Sequence, residues 1–483
     1  MSGDWRMELY WRLPVFLQER ALSLYAGYLD RLYYGRGYEE ALAIFEELQT
    51  ASAGDAADWQ NARLRHIVRV AATRVPFYRD SWRDFDWQSV QSAGDLTLLP
   101  RLDKQSLRRH EGDFLVEGSD PKSLWLEKTS GTTGTALSVY WPKSMLPQWW
   151  ALMEVAIRKV AGVAREVPRA MMGGRTIVSG ATERPPYWRY NRRWRQLYLS
   201  SYHVSRASAP LYIEAMRGYG SQWITGYGSA IAALAQFALE RGLEPMRLRA
   251  AVVSGDTLVA GMRRSIEAFF GCRCYDSYGQ SEAVAVAMEC TQGRMHVIPG
   301  AGVIEILRAD GSRCRAGEVG EIVATGLLND AMPLVRYRMR DYAAWAKEQF
   351  CRCGNRQPIL DHLEGRLDDY LIVRDGRKVG RLSTALKRSP TIHSAQILQD
   401  SADHAYLLIK PGAAYERRHA LAVRDDLLEK VGRFSFDVIE VPEIPKTPRG
   451  KTALVVRLAA QPEMQPVYQN LLARRENSVE RAA

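Results

Sequence analysis

From residue 124 onward, short apolar runs alternate with helical ones, and this alternation limits the possible folds more than any other feature of the chain. Leu137-Ser-Val-Tyr140, Ala170-Met-Met172, Gln222-Trp-Ile-Thr225 and Leu248-Arg-Ala-Ala-Val-Val253 have the length and apolar content of buried strands. Several are followed by Gly or Ser and then by a helical segment such as residues 229–241. Strand, glycine turn and helix in that order predict an α/β fold, with ligands gathering at the C-terminal ends of the strands.

The flanking regions read differently. Leu13, Phe16, Leu17, Ala21, Leu24 and Tyr25 recur near a helical period, as do Leu64, Ile67, Val68, Val70 and Ala71, so residues 1–95 are expected to be mostly helical. Val75-Pro-Phe-Tyr78 breaks that habit. Between residues 296 and 342 strands dominate: Val303-Ile-Glu-Ile-Leu307, Gly320-Glu-Ile-Val-Ala-Thr325 and Leu334-Val-Arg-Tyr337, with Arg308-Ala-Asp-Gly-Ser312 as a hairpin turn. After Gly365 a smaller α+β texture begins. Its strand pair is Ser394-Ala-Gln-Ile-Leu-Gln399 with Ala405-Tyr-Leu-Leu-Ile409, and a helix follows over residues 415–431. A chain of 483 residues is too long for one compact core, so a large unit (1–365) and a small one (366–483) are expected.

Composition excludes some classes. A hydrophobic content of 46% with 25% charged residues is that of a soluble globular protein, and no apolar run is long enough to span a bilayer. Asp4 and Glu8 break the pattern of a secretory leader, so the expected compartment is the cytoplasm. The net charge of +11 is moderate for this length, and arginine-rich patches such as Arg189-Tyr-Asn-Arg-Arg-Trp-Arg195 and Arg338-Met-Arg340 suit phosphate, a polyanion, a membrane surface or plain solvent. No nucleic-acid partner is expected. Six cysteines make no disulfide framework; Cys272-Arg-Cys274 and Cys351-Arg-Cys353 read as metal ligands or as reduced thiols.

Lys128-Thr-Ser-Gly-Thr-Thr-Gly-Thr135 carries the first chemical signal. Gly131 and Gly134 let the backbone approach an anion, while Ser130, Thr132 and Thr133 supply neutral donors. Five further segments accompany it: Ser254-Gly-Asp-Thr257, Tyr275-Asp-Ser-Tyr-Gly-Gln-Ser-Glu282, Pro333-Leu-Val-Arg-Tyr-Arg-Met-Arg-Asp341, Glu364-Gly-Arg-Leu-Asp-Asp369 and Glu443-Ile-Pro-Lys-Thr-Pro-Arg-Gly-Lys451. Together and in this order, they make the chain resemble the ANL adenylate-forming superfamily, on its phenylacetate–CoA ligase-like, CapK-type branch. Leu98-Leu-Pro-Arg-Leu-Asp-Lys104 and Val75-Pro-Phe-Tyr78 fit the same branch.

The resemblance implies a large adenylate-forming domain of β-sheets with flanking helices, plus a small mobile C-terminal domain. It implies ATP-dependent activation of a carboxylic acid, aryl or acyl, as an acyl-adenylate, then transfer to CoA; the alternatives are a non-CoA acceptor in a biosynthetic pathway, or a non-catalytic homologue acting as a binding partner. Ser130, Gly131, Thr132, Thr133 and Gly134 would grip the phosphates of ATP, and Glu282 would sit by Mg²⁺. Tyr278 and Gly279 would flank the adenine beside Ser254, Gly255 and Asp256. Asp341 would hold the ribose, and Arg366 would reach ribose or phosphate. Lys451 would bridge carboxylate and α-phosphate, and with Glu282 and Thr132 it forms the implied catalytic set. The small domain would turn about Asp368. The resemblance also favours Cys290, His296, Cys351 and Cys353 as structural Zn²⁺ ligands, with Cys272 and Cys274 as a rival pair.

Two departures stand out. The wider superfamily usually has Gly before the ribose-binding Asp, whereas this chain has Arg340. The hinge continues as Asp375-Gly-Arg-Lys-Val-Gly-Arg-Leu-Ser383, without the apolar and proline pattern of phenylacetate enzymes, which leaves CoA and other acceptors both open. Trp223, Tyr227 and Tyr202 read either as the wall of an acyl pocket or as core.

Overall fold

The computed structural model describes residues 5–128, 137–175, 177–179, 182–364, 371–374, 378–379, 382, 385, 389, 391–412, 414–431, 433–445, 452–460 and 464–469. The chain opens on helices α1 (Trp5–Arg12), α2 (Val15–Tyr33), α3 (Tyr38–Thr50), α4 (Ala53–Arg74) and α5 (Pro76–Ser81). Ser52 caps α4 by accepting from the Asp55 N–H at 3.1 Å. The break expected at 75–78 is a short stop: Pro76 ends one helix and takes the first position of the next, where its missing N–H is harmless. Leu64, Ile67, Val68 and Ala71 of α4 are buried, as their period predicts. The apolar period of α2 behaves otherwise, since Phe16, Leu17, Leu24 and Tyr25 lie exposed.

Among the described residues one twelve-stranded sheet dominates. Its first half holds β3 (Arg169–Met172), β4 (Trp188–Asn191), β5 (Gln196–Leu199), β6 (Trp223–Tyr227), β7 (Ala250–Ser254) and β8 (Cys274–Gly279). Here β5, β3, β6, β7 and β8 run parallel in that spatial order, and β4 closes the edge antiparallel to β5. Helices α8 (Ala209–Gly218), α9 (Gly228–Glu240) and α10 (Ala260–Phe270) follow β5, β6 and β7, as the alternating texture predicts. The second half is antiparallel and continues through β9 (Val286–Glu289), β10 (Met295–Val297), β14 (Ile359–Glu364), β13 (Tyr337–Trp345), β12 (Val319–Gly326) and β11 (Gly302–Leu307). A separate ribbon pairs β1 (Trp125–Lys128) with β2 (Ser138–Trp141).

The strand expected over 334–337 begins only at Tyr337. Arg336 adopts a left-handed backbone, φ 49°, outside regular strand geometry. Its N–H donates to Thr325 Oγ1 at 3.0 Å, and its guanidinium forms a bidentate pair with the buried Glu305 at 2.9 and 3.0 Å. Tyr78 of α5 fastens the same stretch, donating to the Pro333 carbonyl and accepting from the Val335 N–H.

The small unit carries β17 (Ile392–Gln399), β18 (His404–Pro411), β19 (Ser435–Glu440) and β20 (Val455–Arg457) in the order β19-β18-β17-β20, with helix Arg417–Val431 between β18 and β19. It rests on α9 and α10. Gln236 donates to the Pro411 carbonyl at 3.3 Å, Ser265 lies 3.3 Å from His393 Nδ1, and Lys410 Nζ stands 4.4 Å from the centroid of Phe237. Burial beside Lys410 pushes His393 down to about 3, so this contact is made by a neutral imidazole.

The Arg336–Glu305 pair yields a first prediction. Arg336→Ala strands a carboxylate in the core, and urea denaturation is expected to report a loss of about 3–5 kcal/mol. Glu305→Gln with Arg336→Met, which removes both charges, is expected to recover most of it.

Candidate active site and a cysteine–histidine cluster

The C-terminal ends of the parallel strands converge on one cleft edge, and two glycines shape it. At Gly226, φ is 137°, and a Cβ would fall 2.0 Å from the Met172 carbonyl. At Gly174 a Cβ would meet the Tyr227 hydroxyl at 2.2 Å. Only glycine lets β6 press this closely on β3. Tyr202 reaches the Gly174 carbonyl at 3.5 Å, so Tyr202 and Tyr227 meet at one point. Trp223 does not join them. It is buried at the opposite end of β6, donating to the Val167 carbonyl, and belongs to the core.

Tyr278, the penultimate residue of β8, donates to Asp341 Oδ2 at 2.7 Å. These residues lie on strands in opposite halves of the sheet, and a bulge in β13 brings them together. Arg338 pairs with Val323 and Tyr342 with Glu321, so Met339, Arg340 and Asp341 oppose the single residue Ile322. Arg340 absorbs the distortion with φ 60°. Ser254 ends β7 in register with Ser277 of β8. Gly255 turns the chain at φ 79°, and the Asp256 carboxylate accepts from the Ser229 N–H and hydroxyl at 3.2 and 2.6 Å, tying this turn to the first residues of α9. Gly279 pairs with Val286 of β9.

Glu282 is the buried charge of the cleft, 5% exposed. The tight β8–β9 turn, with Ala283 at φ 55° and its N–H on the Gln280 carbonyl, folds the carboxylate inward. Oε1 accepts from the Tyr337 hydroxyl at 3.0 Å and lies 3.4 Å from Lys104 Nζ. Lys104 opens α6 (Lys104–Arg109), whose cap Asp103 accepts from the Gln105 and Ser106 N–H groups. Leu102 bonds in both directions with β13, accepting from Arg338 and donating to Arg336 at 2.9 Å each. Lys104 and Tyr337 lie inside segments that the sequence singles out, yet nothing in a linear reading assigns them a role. Their function depends on a contact across 178 and 55 residues respectively.

Ser130, Gly131, Thr132, Thr133, Gly134, Arg366, Asp368 and Lys451 lie outside the described residues.

Away from the cleft, Cys290, His296, Cys351 and Cys353 bring their ligand atoms within 4.8 Å of one another. Cys290 Sγ is 3.6 Å from Cys351 Sγ, and Cys353 Sγ is 3.5 Å from His296 Nε2. His296 Nδ1 lies 3.1 Å from the Gln357 carbonyl, which directs Nε2 toward the sulfurs. The Gln292 N–H points at Cys290 Sγ at 3.3 Å. The rival pair Cys272 and Cys274 is not part of this group. Cys274 is a core residue of β8, and burial pushes the Cys272 thiol up to about 12.

No family model matches the chain. It is 23% identical to protein CapK of Staphylococcus aureus over 460 residues, covering 93% of this chain and 98% of CapK. It is 27% identical to the phenylacetate-coenzyme A ligase of Thermus thermophilus over 350 residues, 68% of this chain and 74% of that enzyme. Its fold is similar to that of a 2-hydroxyisobutyryl-CoA ligase in a postadenylation state, with a TM-score of 0.65, 18% identity, and coverage of 88% and 94%. The chain is phenylacetate–CoA ligase-like. Its fold is that of the adenylate-forming CoA ligases.

For a phenylacetate–CoA ligase-like protein, the position of Arg340 has a backbone explanation. The left-handed conformation before Asp341 is free for glycine and disfavours other residues by about 1–2 kcal/mol. Arg340→Gly is therefore expected to leave the fold intact and raise thermal stability slightly, whereas Arg340→Val lowers it. Melting curves of the two variants compared with the parent check this.

Proposed function

We propose that the protein activates a carboxylic acid, aryl or acyl, with ATP and passes the acyl group to coenzyme A. The observation that carries this reading is the Tyr278–Asp341 pair beside the buried Glu282, at the strand ends where a nucleotide would lie. In the first step a carboxylate oxygen attacks the α-phosphorus, and pyrophosphate leaves. In the second, the thiol sulfur attacks the carbonyl of the mixed anhydride, AMP leaves, and a thioester remains.

Both steps bring anions together, so the residues serve to neutralise and orient charge. Asp341 accepts from ribose hydroxyls while the Tyr278 hydroxyl holds its second oxygen, and the Tyr278 ring flanks the base with Ser254, Gly255 and Gly279. The loop of Ser130, Gly131, Thr132, Thr133 and Gly134 takes the β- and γ-phosphates, Arg366 reaches ribose or phosphate, and the ammonium of Lys451 joins the attacking carboxylate to the α-phosphate. Glu282 fits a Mg²⁺ held mainly by nucleotide oxygens, because it offers one anchored carboxylate rather than a cage. When bound, that ion neutralises charge on the leaving phosphates. Tyr337 and Lys104 hold the Glu282 carboxylate in place and aim it. Rotation of the small domain about Asp368 exchanges the Lys451 face for a thioester-forming one. Tyr202 and Tyr227 line the acyl side.

ATP–pyrophosphate exchange over a panel of aryl, fatty and amino acids tests the first step, and thioester formation with CoA tests the second. Lys451→Ala is expected to reduce exchange by about 10²–10³-fold. Exchange at the parent rate in that variant would remove the assignment. A second reading has a specific observation behind it: the match over nearly the whole chain is to CapK, while the phenylacetate ligase of Thermus thermophilus matches 68%. Under that reading a nucleophile other than CoA receives the acyl group, and exchange proceeds with no CoA thioester.

Cys290, His296, Cys351 and Cys353 are proposed to hold a structural Zn²⁺. A tetrahedral ion with Zn–S bonds of about 2.3 Å sets ligand atoms about 3.8 Å apart, close to the 3.6 and 3.5 Å found here. Elemental analysis is expected to find about one zinc per chain. Cys353→Ser should lose most of the metal and melt at lower temperature; a metal-free, fully stable parent protein would sink the proposal.

A further inference from the structure

Helix α2 turns a row of polar residues, together with Ala26, Leu29 and Tyr33, toward the protein and a second apolar stripe toward solvent. The inward side seals the sheet edge at β4. Gln18 accepts from Arg189 Nε at 2.6 Å, Glu19 from the Tyr190 N–H at 2.9 Å and Ser23 from the Arg192 N–H at 3.1 Å. Asp30 accepts from Trp194 Nε1 at 2.6 Å and pairs with Arg193. An open edge strand invites unwanted pairing, and α2 spends its polar groups closing this one. Both acids of the helix, Glu19 and Asp30, are consumed there.

These bonds set which face looks outward. Leu17, Ala21, Leu24, Tyr28 and Arg31 follow one another at alternating spacings of four and three residues and are all exposed, forming a straight stripe. Leu24 is 79% exposed, Tyr25 51% and Tyr28 50%, and Phe16 adds 63% at the start of the helix. From Leu17 to Tyr28 the stripe runs for about 16 Å. Arg12, Arg20 and Arg31 stand exposed along it, and Arg192 and Arg195 stand exposed on the adjoining β4–β5 turn. With the acids turned inward, the rim is cationic.

We infer that this face docks on an anionic lipid bilayer. In that placement α2 lies in the headgroup plane, Leu24, Tyr25 and Tyr28 enter the acyl boundary, and the arginines meet lipid phosphates. Charge distinguishes this occupant from a second copy of the chain. A second copy laid face to face on the stripe brings a second set of Arg20 and Arg31 to the same rim, with no acid of α2 exposed to relieve them. The inference is independent of the proposed adenylation chemistry, because no residue of α2 belongs to the cleft.

Flotation of the full chain with extruded vesicles tests it. Vesicles of phosphatidylcholine mixed with phosphatidylserine are expected to carry the protein upward, and those of phosphatidylcholine alone to carry much less. Leu24→Glu with Tyr28→Glu should weaken partitioning about tenfold or more. Arg20→Glu with Arg31→Glu should abolish the preference for phosphatidylserine, as should high salt. Circular dichroism and the melting temperature verify that the variants fold. No flotation with the anionic vesicles overturns the inference, as does undiminished flotation of the Leu24/Tyr28 variant. A stripe-dependent dimer in light scattering, without vesicle binding, overturns it in favour of a second copy.

Discussion

A carboxylate buried at the end of a strand needs partners, and the arrangement of the cleft follows from how Glu282 finds them. One oxygen receives Tyr337 from β13 and Lys104 from α6. Those contacts bind three distant stretches of chain, the β8–β9 turn, the start of β13 and the segment before α6, around one negative charge. Desolvating an ionised group without such bonds is prohibitive. The fold therefore has to close here before the site exists, and Asp341, four residues beyond Tyr337, is delivered to Tyr278 by the same closure.

That delivery uses backbone strain in two places. Arg336 and Arg340 both occupy left-handed conformations that arginine takes reluctantly. The first lets the chain abandon strand geometry, bury its guanidinium against Glu305 and then begin β13. The second absorbs the bulge that turns Asp341 toward β8. Neither conformation would persist without the bonds around it, which include the Arg336 N–H to Thr325 and the Tyr278 hydroxyl to Asp341.

The sheet also explains features far from the cleft. Its parallel strands are covered by α8, α9 and α10, and the small unit builds on α9 and α10 in turn. Its far edge, β4, pairs with β5 on one side, and among the described residues α2 covers the other. Polar side chains of α2 cover that edge beside the buried Ala26, Leu29 and Tyr33, and a second apolar stripe of the helix is left outward. Away from the cleft, the β9–β10 turn, β10 itself and the loop before β14 draw three cysteines and a histidine into one cluster, with the Gln357 carbonyl orienting His296.

Much of the fold was legible in the linear chain because it rests on local rules. The apolar runs at 170–172, 222–225 and 248–253 became β3, β6 and β7 to within two or three residues, and the helix after β6 starts at Gly228 where a glycine turn was expected. The Arg308–Ser312 hairpin and the β17–β18 pair follow from period and turn residues. The thiolate and imidazole set was reached through family likeness rather than spacing, since sixty intervening residues carry no geometric information. What the chain could not disclose is non-local. A helical period identifies an apolar face but not its partner, so the exposure of Phe16, Leu17, Leu24 and Tyr25 on α2 was not legible. A strand pattern does not show a left-handed arginine, so β13 starts late. Lys104 and Tyr337 gain their meaning only from Glu282, through tertiary contacts that no run of neighbours encodes. Local propensity and motif order determined the layers and their ligand edge; the need to satisfy buried charge decided which residues meet there.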